Sequence, residues 1–249
     1  MKLTVIGYWG AYPEKNEATS CYLLQDENTN ILLDCGSGAV AQLQNYIELA
    51  EIDAVIITHY HHDHIADLGV LTYSRIVDMN LGKTDRPLHI FAHDKDAEAF
   101  QQLSKKPFAE AFAYHAEKNG MPFTIGSLQF TFHPTNHPVP CFAVKAHSQD
   151  GSIIAYTGDT AYDESLIPFL KNVDLLITES SFYEGQDAKP FGHMNSKESG
   201  ILGYKSNVKY LLLSHLPHFG NHQQLITESC KYYSGKISHA RGGMVWTSE

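Results

Sequence analysis

Six consecutive residues, His59-Tyr60-His61-His62-Asp63-His64, put four imidazoles and a carboxylate into one short stretch of this 249-residue chain. Neutral imidazole is the commonest protein metal ligand and a serviceable acid or base near neutral pH. In an extended backbone side chains alternate, so His59 and His61 point the same way. If the chain then turns into a helix, Asp63 and His64 face a second, neighbouring position. Two imidazoles for one ion, and a carboxylate with an imidazole for another, suit zinc or a similar first-row metal. The opposing interpretation is a histidine-rich surface loop that collects metal adventitiously. Histidine is also the outlier of the composition, with 15 residues.

The elements that must position these groups are legible as short apolar runs bounded by Gly, Asp, Asn or Pro. They fall at 3–6, 22–24, 31–33, 54–57, 88–91, 128–132, 142–144, 153–156, 175–177 and 210–213. Runs of this length and composition fit strands buried against another layer. Helices are expected between them at 38–49, 66–79, 94–105, 162–171, 195–204 and 221–233. Strands mixed with helices throughout predict an α/β chain in which helices cover sheets, organised as one domain over 1–249. Several strands end in polar clusters. The 54–57 run leads into the histidine motif, 153–156 into Thr157-Gly158-Asp159-Thr160, and 210–213 into Ser214-His215, while 128–132 leads towards His133 and His137. Rigid strands with free end loops are where chemistry is expected.

Composition narrows the classes. With 43% hydrophobic residues the chain can bury a large core, and 18 Lys plus Arg against 28 Asp plus Glu leaves a formal charge of −10. Such a balance disfavours nucleic-acid binding, which rests on basic surfaces. Cys21, Cys35, Cys141 and Cys230 form no C-x-x-C pair, so neither a thiolate zinc site nor a redox motif is visible. The opening residues lack a secretory pattern, and no apolar run approaches the ~18 residues of a membrane span. A cytoplasmic protein without a membrane partner is the expectation.

His59-x-His61-x-Asp63-His64 resembles the metal-binding signature of the metallo-β-lactamase-fold hydrolases, and the order of motifs extends the resemblance along essentially the whole chain. The resemblance implies a four-layer αββα sandwich with a two-metal site between the sheets. By it His59, His61 and His137 would hold the first ion, Asp63, His64 and His215 the second, and Asp159 would bridge both. Zinc is the expected ion, with manganese or iron able to share these ligands. His137 is preferred to His133 because His137-Pro138-Val139-Pro140-Cys141 resembles the segment after the third ligand in the ribonuclease Z-like branch. His215 is preferred to His218 for its place directly after Leu211-Leu212-Leu213-Ser214. Asp159 could instead cap a helix. Asp34 reads as a structural partner of the histidine loop, and His62 occupies a variable slot.

Two metals lower the pKa of a bridging water and neutralise charge on the attacked group, with Asp63 expected to orient the hydroxide or take its proton. Leu175-Leu176-Ile177-Thr178-Glu179-Ser180-Ser181-Phe182 and Gly192-His193-Met194-Asn195-Ser196 resemble the paired Glu and His motifs of ribonuclease Z-like phosphodiesterases. Carried over, Glu179 would orient His193, and His193 would serve as acid or phosphate ligand. The opposing interpretation makes Glu179 a surface carboxylate and His193 a neighbour of a helix cap. Only 21 residues separate His137 from Asp159, leaving no room there for a long tRNA-gripping arm. Pro13-Glu14-Lys15-Asn16-Glu17 and Leu216-Pro217-His218 stand where that branch carries Arg. The expectation is therefore a dinuclear phosphodiesterase that uses a metal-bridging hydroxide on a small, including cyclic, phosphodiester, with tRNA disfavoured. The alternatives are a lactonase- or thioesterase-type hydrolase on the same site, a diiron redox protein, and a non-catalytic metal-binding protein. Nitrogen at His61, where the diiron proteins place Glu, favours hydrolysis. A homodimer is implied only at family level.

Overall fold

Alternation along the strands explains the layering. In the computed structural model, which describes residues 1–105, 108–115 and 122–248, six strands lie side by side in chain order. They are β1 (Lys2–Gly7), β2 (Cys21–Asp26), β3 (Thr29–Leu33), β4 (Ala54–Ile56), β5 (Leu88–His93) and β6 (Ala109–Tyr114). Tyr22, Leu24, Ile31, Leu33, Ala54 and Ile56 face one apolar cluster. Their neighbours Cys21, Leu23, Leu32, Val55 and Ile57 face another. Period-two alternation with both faces buried is the mark of a sheet sandwiched between two layers.

The second sheet repeats the plan. It holds β7 (Phe123–Ile125), β8 (Leu128–Pro134), β9 (Phe142–His147), β10 (Ile153–Tyr156), β11 (Leu175–Glu179), β12 (Tyr210–Ser214) and β13 (Lys236–His239), again in chain order. A last strand, β14 (Val245–Thr247), returns to pair antiparallel with β1. Each sheet starts as an antiparallel meander and then runs parallel, from β3 to β6 in the first and from β10 to β13 in the second. Parallel strands need crossovers, and these supply helices to the outer faces.

The helices are α1 (Ala39–Leu43), α2 (His62–Ile65), α3 (Leu68–Asn80), α4 (Ala97–Ser104), α5 (Leu166–Phe169), α6 (Ser196–Lys205) and α7 (His222–Ser229). Val40 and Leu43 of α1, Leu68 and Leu71 of α3 and Leu103 of α4 pack on the outside of the first sheet. Helices α6 and α7 pack together, α6 against β11 and β12 and α7 against β13. The result is the αββα sandwich, with aromatic Phe130, Phe132, Phe142 and Tyr156 between the sheets.

All ten expected strands are present, but the helices differ in extent. The 38–49 helix stops at Leu43, with a single 3-10 turn at Leu49–Glu51. Asn45 Nδ2 donates to the Gln42 carbonyl at 3.1 Å, which competes with the helical ladder. The 162–171 helix contracts to α5, because the Asp163 carboxylate accepts the Ser165 N–H at 2.8 Å and holds a turn ahead of it. The 221–233 helix ends at Ser229. Strands β6, β7, β13 and β14 lay outside the apolar-run reading.

Phe130 is fully buried between the sheets. Replacing it with Ala should lower unfolding free energy by about 3–5 kcal/mol, read from urea denaturation midpoints. A loss below about 1 kcal/mol would contradict this account of the core.

Candidate metal centre

Strand ends converge here. In both sheets the parallel strands point their C-terminal ends at one edge of the sandwich, where ligand sites of open α/β sheets form. Asp34 follows β3, Thr58 and His59 follow β4, Asp159 follows β10, Glu179 closes β11 and His215 follows β12. Asp34 and His215 both sit in left-handed backbone, at φ 58° and 50°. Non-glycine residues hold that conformation only where their surroundings impose it. At Asp34 the surroundings are four donors. The Thr58 N–H at 2.8 Å, the Thr58 hydroxyl at 2.9 Å, the Tyr156 hydroxyl at 3.1 Å and His64 Nδ1 at 2.7 Å all reach its buried carboxylate.

These bonds set the imidazole tautomers. Asp34 accepts from His64 Nδ1, so the lone pair of His64 is on Nε2. The Thr58 hydroxyl proton goes to Asp34, so His59 Nδ1 donates to Thr58 Oγ1 at 3.1 Å and leaves Nε2 bare. His137 Nδ1 donates to the Gly192 carbonyl at 3.0 Å, and His215 Nδ1 to Ser181 Oγ at 2.9 Å. In the neutral form of each ring the second nitrogen thus presents its lone pair to a common centre.

Two groups of ligand atoms result. His59, His61, His137 and Asp159 form one, Asp63, His64 and His215 the other. His61 Nδ1 lies 3.1 Å from His59 Nε2 and 3.2 Å from His137 Nε2. Asp159 spans both groups. Its Oδ2 lies 3.6 Å from His59 Nε2 and 4.0 Å from His137 Nε2, while its Oδ1 lies 3.3 Å from His64 Nε2 and 3.4 Å from His215 Nε2. Two atoms here, His64 Nε2 and Asp159 Oδ1, are buried without a hydrogen-bond partner. Bare nitrogens packed against one another and an orphaned carboxylate oxygen are costly unless a cation lies between them, so the donor set fits a divalent metal.

Electrostatics agree. Burial opposes charge on His64 and His215, but Asp159, with Asp34 for the first and Asp63 for the second, holds both above the usual imidazole range. Burial and the neighbouring His64 push His59 down. Burial also works against ionised Asp63 and Asp159, yet the surrounding imidazoles hold both below the usual carboxylate range. A metal entering such a site displaces imidazole protons.

His193 borders both groups, with ring centroids 5.4 Å from His137 and 5.2 Å from His215. Its Nδ1 donates to Glu179 Oε1 at 3.0 Å. Glu179 is buried and also accepts the Thr160 N–H at 2.6 Å, the Met194 N–H at 3.1 Å and the Ser181 hydroxyl at 2.8 Å. Burial opposes charge on His193, but Glu179 outweighs it and the imidazole is pushed up to about 9, a value that any cation bound nearby would lower. Asp159, His193 and His215 also lie close enough to share an ion, so His193 faces the cluster.

Every residue that the sequence singled out as a ligand, together with Glu179 and His193, is gathered here. The rivals are elsewhere. His133 contacts Ser165 Oγ at 3.3 Å and stacks on Phe169, and His218 is stacked between Trp9 and Tyr12. His62 is exposed. His93 is buried among Tyr60, Tyr114 and Phe142, away from the cluster. Thr58, Tyr156, Ser181 and the Ala11 N–H, which donates to Asp63 Oδ2 at 2.9 Å, were not foreseen. Thr58 and Ser181 lie inside motifs already noted. Tyr156 and Ala11 carry no local signal, because their partners are remote in sequence.

An αββα sandwich with a His/Asp cluster between the ends of its two sheets defines a metallo-hydrolase of the metallo-β-lactamase fold. The chain belongs to the beta-lactamase superfamily: the profile described as "Beta-lactamase superfamily domain" matches residues 29–216. It is similar to the probable metallo-hydrolase YhfI of Bacillus subtilis (strain 168), with 44% identity over 247 residues and 99% of each chain covered. The crystal structure of the metallo-beta-lactamase fold protein YhfI from Bacillus subtilis matches with a TM-score of 0.94 at 43% identity, covering 98% of each chain. Ribonuclease Z of Metallosphaera sedula is 27% identical over 271 residues, covering 87% of this chain and 88% of its own. A solved diphosphatase from the PhnP family shares the fold, with a TM-score of 0.76 at 18% identity over 100% of this chain and 98% of that one.

Asp34→Ala should weaken divalent-metal affinity by about 10- to 100-fold, because His64 and Thr58 lose the group that orients them. Competition with a chromogenic chelator measures this, and unchanged affinity would remove Asp34 from the support of the site.

Proposed function

We propose that this hydrolase is a dinuclear phosphodiesterase acting on small phosphodiesters. The observation that carries the reading is Asp159, whose two oxygens address two separate ligand groups. His59, His61 and His137 would hold one ion, Asp63, His64 and His215 the other, with Asp159 common to both. Divalent ions in such a site supply Lewis acidity, acidifying a water and neutralising charge on phosphoryl oxygens.

The chain's own groups account for the rest. Asp63, fixed by the Ala11 N–H, orients the nucleophile and accepts its proton. Glu179 accepts the Nδ1–H of His193 and favours its imidazolium form, so that Nε2 also carries a proton that can be given to the leaving oxygen. The side chain of His193 is 19% exposed, which leaves it open to a substrate at the mouth. The names of two relatives, a ribonuclease Z and a PhnP-family diphosphatase, support phosphorus chemistry. The formal charge of −10 and the mere 21 residues between His137 and Asp159, which form the loop to β9 and the β9–β10 hairpin, favour a small substrate over tRNA. Zinc suits these nitrogen and oxygen donors, and manganese or iron can share them.

Protein reconstituted separately with zinc and with manganese should hydrolyse bis(p-nitrophenyl) phosphate, and Asp63→Ala should abolish turnover. His193→Ala should lower kcat by about 10²- to 10⁴-fold, the usual weight of a general acid. Absence of turnover from protein shown to hold two ions would overturn the reading in favour of carboxylic ester, lactone or thioester substrates. Full activity in His193→Ala would remove that residue from the mechanism.

A further inference from the structure

The turn that offers the Ala11 N–H to Asp63 is strained. The Tyr12 N–H donates to the Gly10 carbonyl at 2.7 Å, an i to i+2 closure, and Ala11 at its centre sits at φ 61°. A γ-turn with positive φ at its centre is the rare form, and an L-residue keeps it only where its surroundings impose it. The turn also lies directly on two residues of the second ligand group. The Ala11 N–H reaches Asp63 Oδ2 at 2.9 Å, and a Cβ added to Gly10 would come within 2.8 Å of the His215 ring. That close approach requires glycine at position 10.

The chain before the turn is well anchored. Trp9 bridges Thr19 and Leu216, and the Gly10 N–H donates to the Leu216 carbonyl at 3.3 Å. The turn itself is not. Among the described residues, the backbone from Ala11 to Lys15 makes no hydrogen bond to the backbone of another element, and Ala11, Tyr12, Glu14 and Lys15 are exposed. What grips it is His218. This ring lies flat on Tyr12, with centroids 3.6 Å and planes 1° apart, and stacks on Trp9 at 4.8 Å and 13°. Its Nε2 donates to the Gly10 carbonyl at 3.0 Å, the same oxygen that closes the γ-turn, and its Nδ1 lies 3.4 Å from Glu14 Oε1. One imidazole thus holds both flanks of the turn and its closing carbonyl.

We propose that His218, set aside above as a ligand, is a positioning residue for Asp63. Clasped between Trp9 and Tyr12 and bonded to Gly10, it keeps the turn in its strained form and so aims the Ala11 N–H at the carboxylate. The terminal torsion of an aspartate is broad and two-fold, so the carboxylate alone does not fix its own rotation. A rigid amide donor on Oδ2 does, and with it the direction in which Asp63 accepts a proton or holds an ion. Any flat ring could supply the stack, but the bond to Gly10 needs a donor where His218 has Nε2. The inference rests on the reading of Asp63 as a working group of the site, and its first test needs neither substrate nor ion.

Metal-free protein labelled with 13C in the glycine carbonyl and 15N in alanine reports the amides of its two Gly-Ala pairs, Gly10-Ala11 and Gly38-Ala39. The Ala11 proton, bonded to a carboxylate, should resonate downfield, and Asp63→Ala should move it upfield while the Ala39 signal stays in place. His218→Ala should move it the same way, with wild-type circular dichroism. His218→Gln, which keeps a donor for the Gly10 carbonyl, should restore most of the shift, whereas His218→Phe, which keeps only a flat ring, should not. In the protein loaded with zinc, His218→Ala should lower kcat on bis(p-nitrophenyl) phosphate by about 10- to 100-fold at unchanged KM. An Ala11 signal that His218→Ala leaves unmoved would overturn the proposal. Full recovery in His218→Phe without recovery in His218→Gln would overturn the role of the Gly10 bond and reduce His218 to packing. A raised KM at unchanged kcat would overturn the action through Asp63 and make His218 a substrate contact. A wild-type protein that holds two ions without turnover, while the Ala11 signal responds as stated, would sink the phosphodiesterase reading and leave the clasp standing.

Discussion

Burying a carboxylate is the constraint on which the architecture of the site depends. Asp159 is almost wholly shielded from water, and an ionised carboxylate in such a place needs compensating positive charge or hydrogen-bond donors. Its neighbours are imidazoles, most of them oriented by a bond made on the side away from it. Those bonds run to Asp34, Thr58, Gly192 and Ser181, so the demand made by one carboxylate reaches both sheets. The same groups then hold lone pairs where a cation satisfies them together. Local electrostatics and catalytic capacity are one arrangement seen from two sides.

The sheets deliver this arrangement through a shared plan. β3 and β10 are the corresponding strands of the two sheets, each antiparallel to the strand before it and parallel to the strand after it. An aspartate follows each, Asp34 and Asp159. One organises the histidine motif from behind, the other stands among the inward-facing lone pairs. Because the parallel strands of both sheets end at the same edge, residues more than 150 positions apart, such as Asp63 and His215, come within 3.1 Å. Outside the sandwich, α2 and α3 continue from the histidine motif.

Much of this was legible in the chain alone. Buried strands announced themselves as β-branched and leucine-rich runs, and all ten were found because both faces of each central strand are apolar. Edge elements were not legible. β6 reads Ala-Glu-Ala-Phe-Ala-Tyr, a composition as suited to a helix, and it becomes a strand because β5 offers it a parallel hydrogen-bonding edge. The 38–49 segment shows helical spacing, yet the Asn45 side chain competes for the Gln42 carbonyl and the helix stops early. Local propensity yields where tertiary partners or side-chain competition offer a better bond.

Sequence by itself gave the types of the candidate ligands and their order along the chain, since alternation in an extended stretch places His59 and His61 together and the following turn sets Asp63 and His64 beside them. The resemblance of the flanking residues to those of the family separated His137 from His133 and His215 from His218. Tertiary structure alone decided which nitrogen of each ring faces the centre, that Asp159 turns one oxygen to each group, and that Ser181 links His215 to Glu179. Those features depend on hydrogen bonds between strands distant in sequence. Spacing along one chain cannot encode a distance that exists only after two sheets have packed face to face.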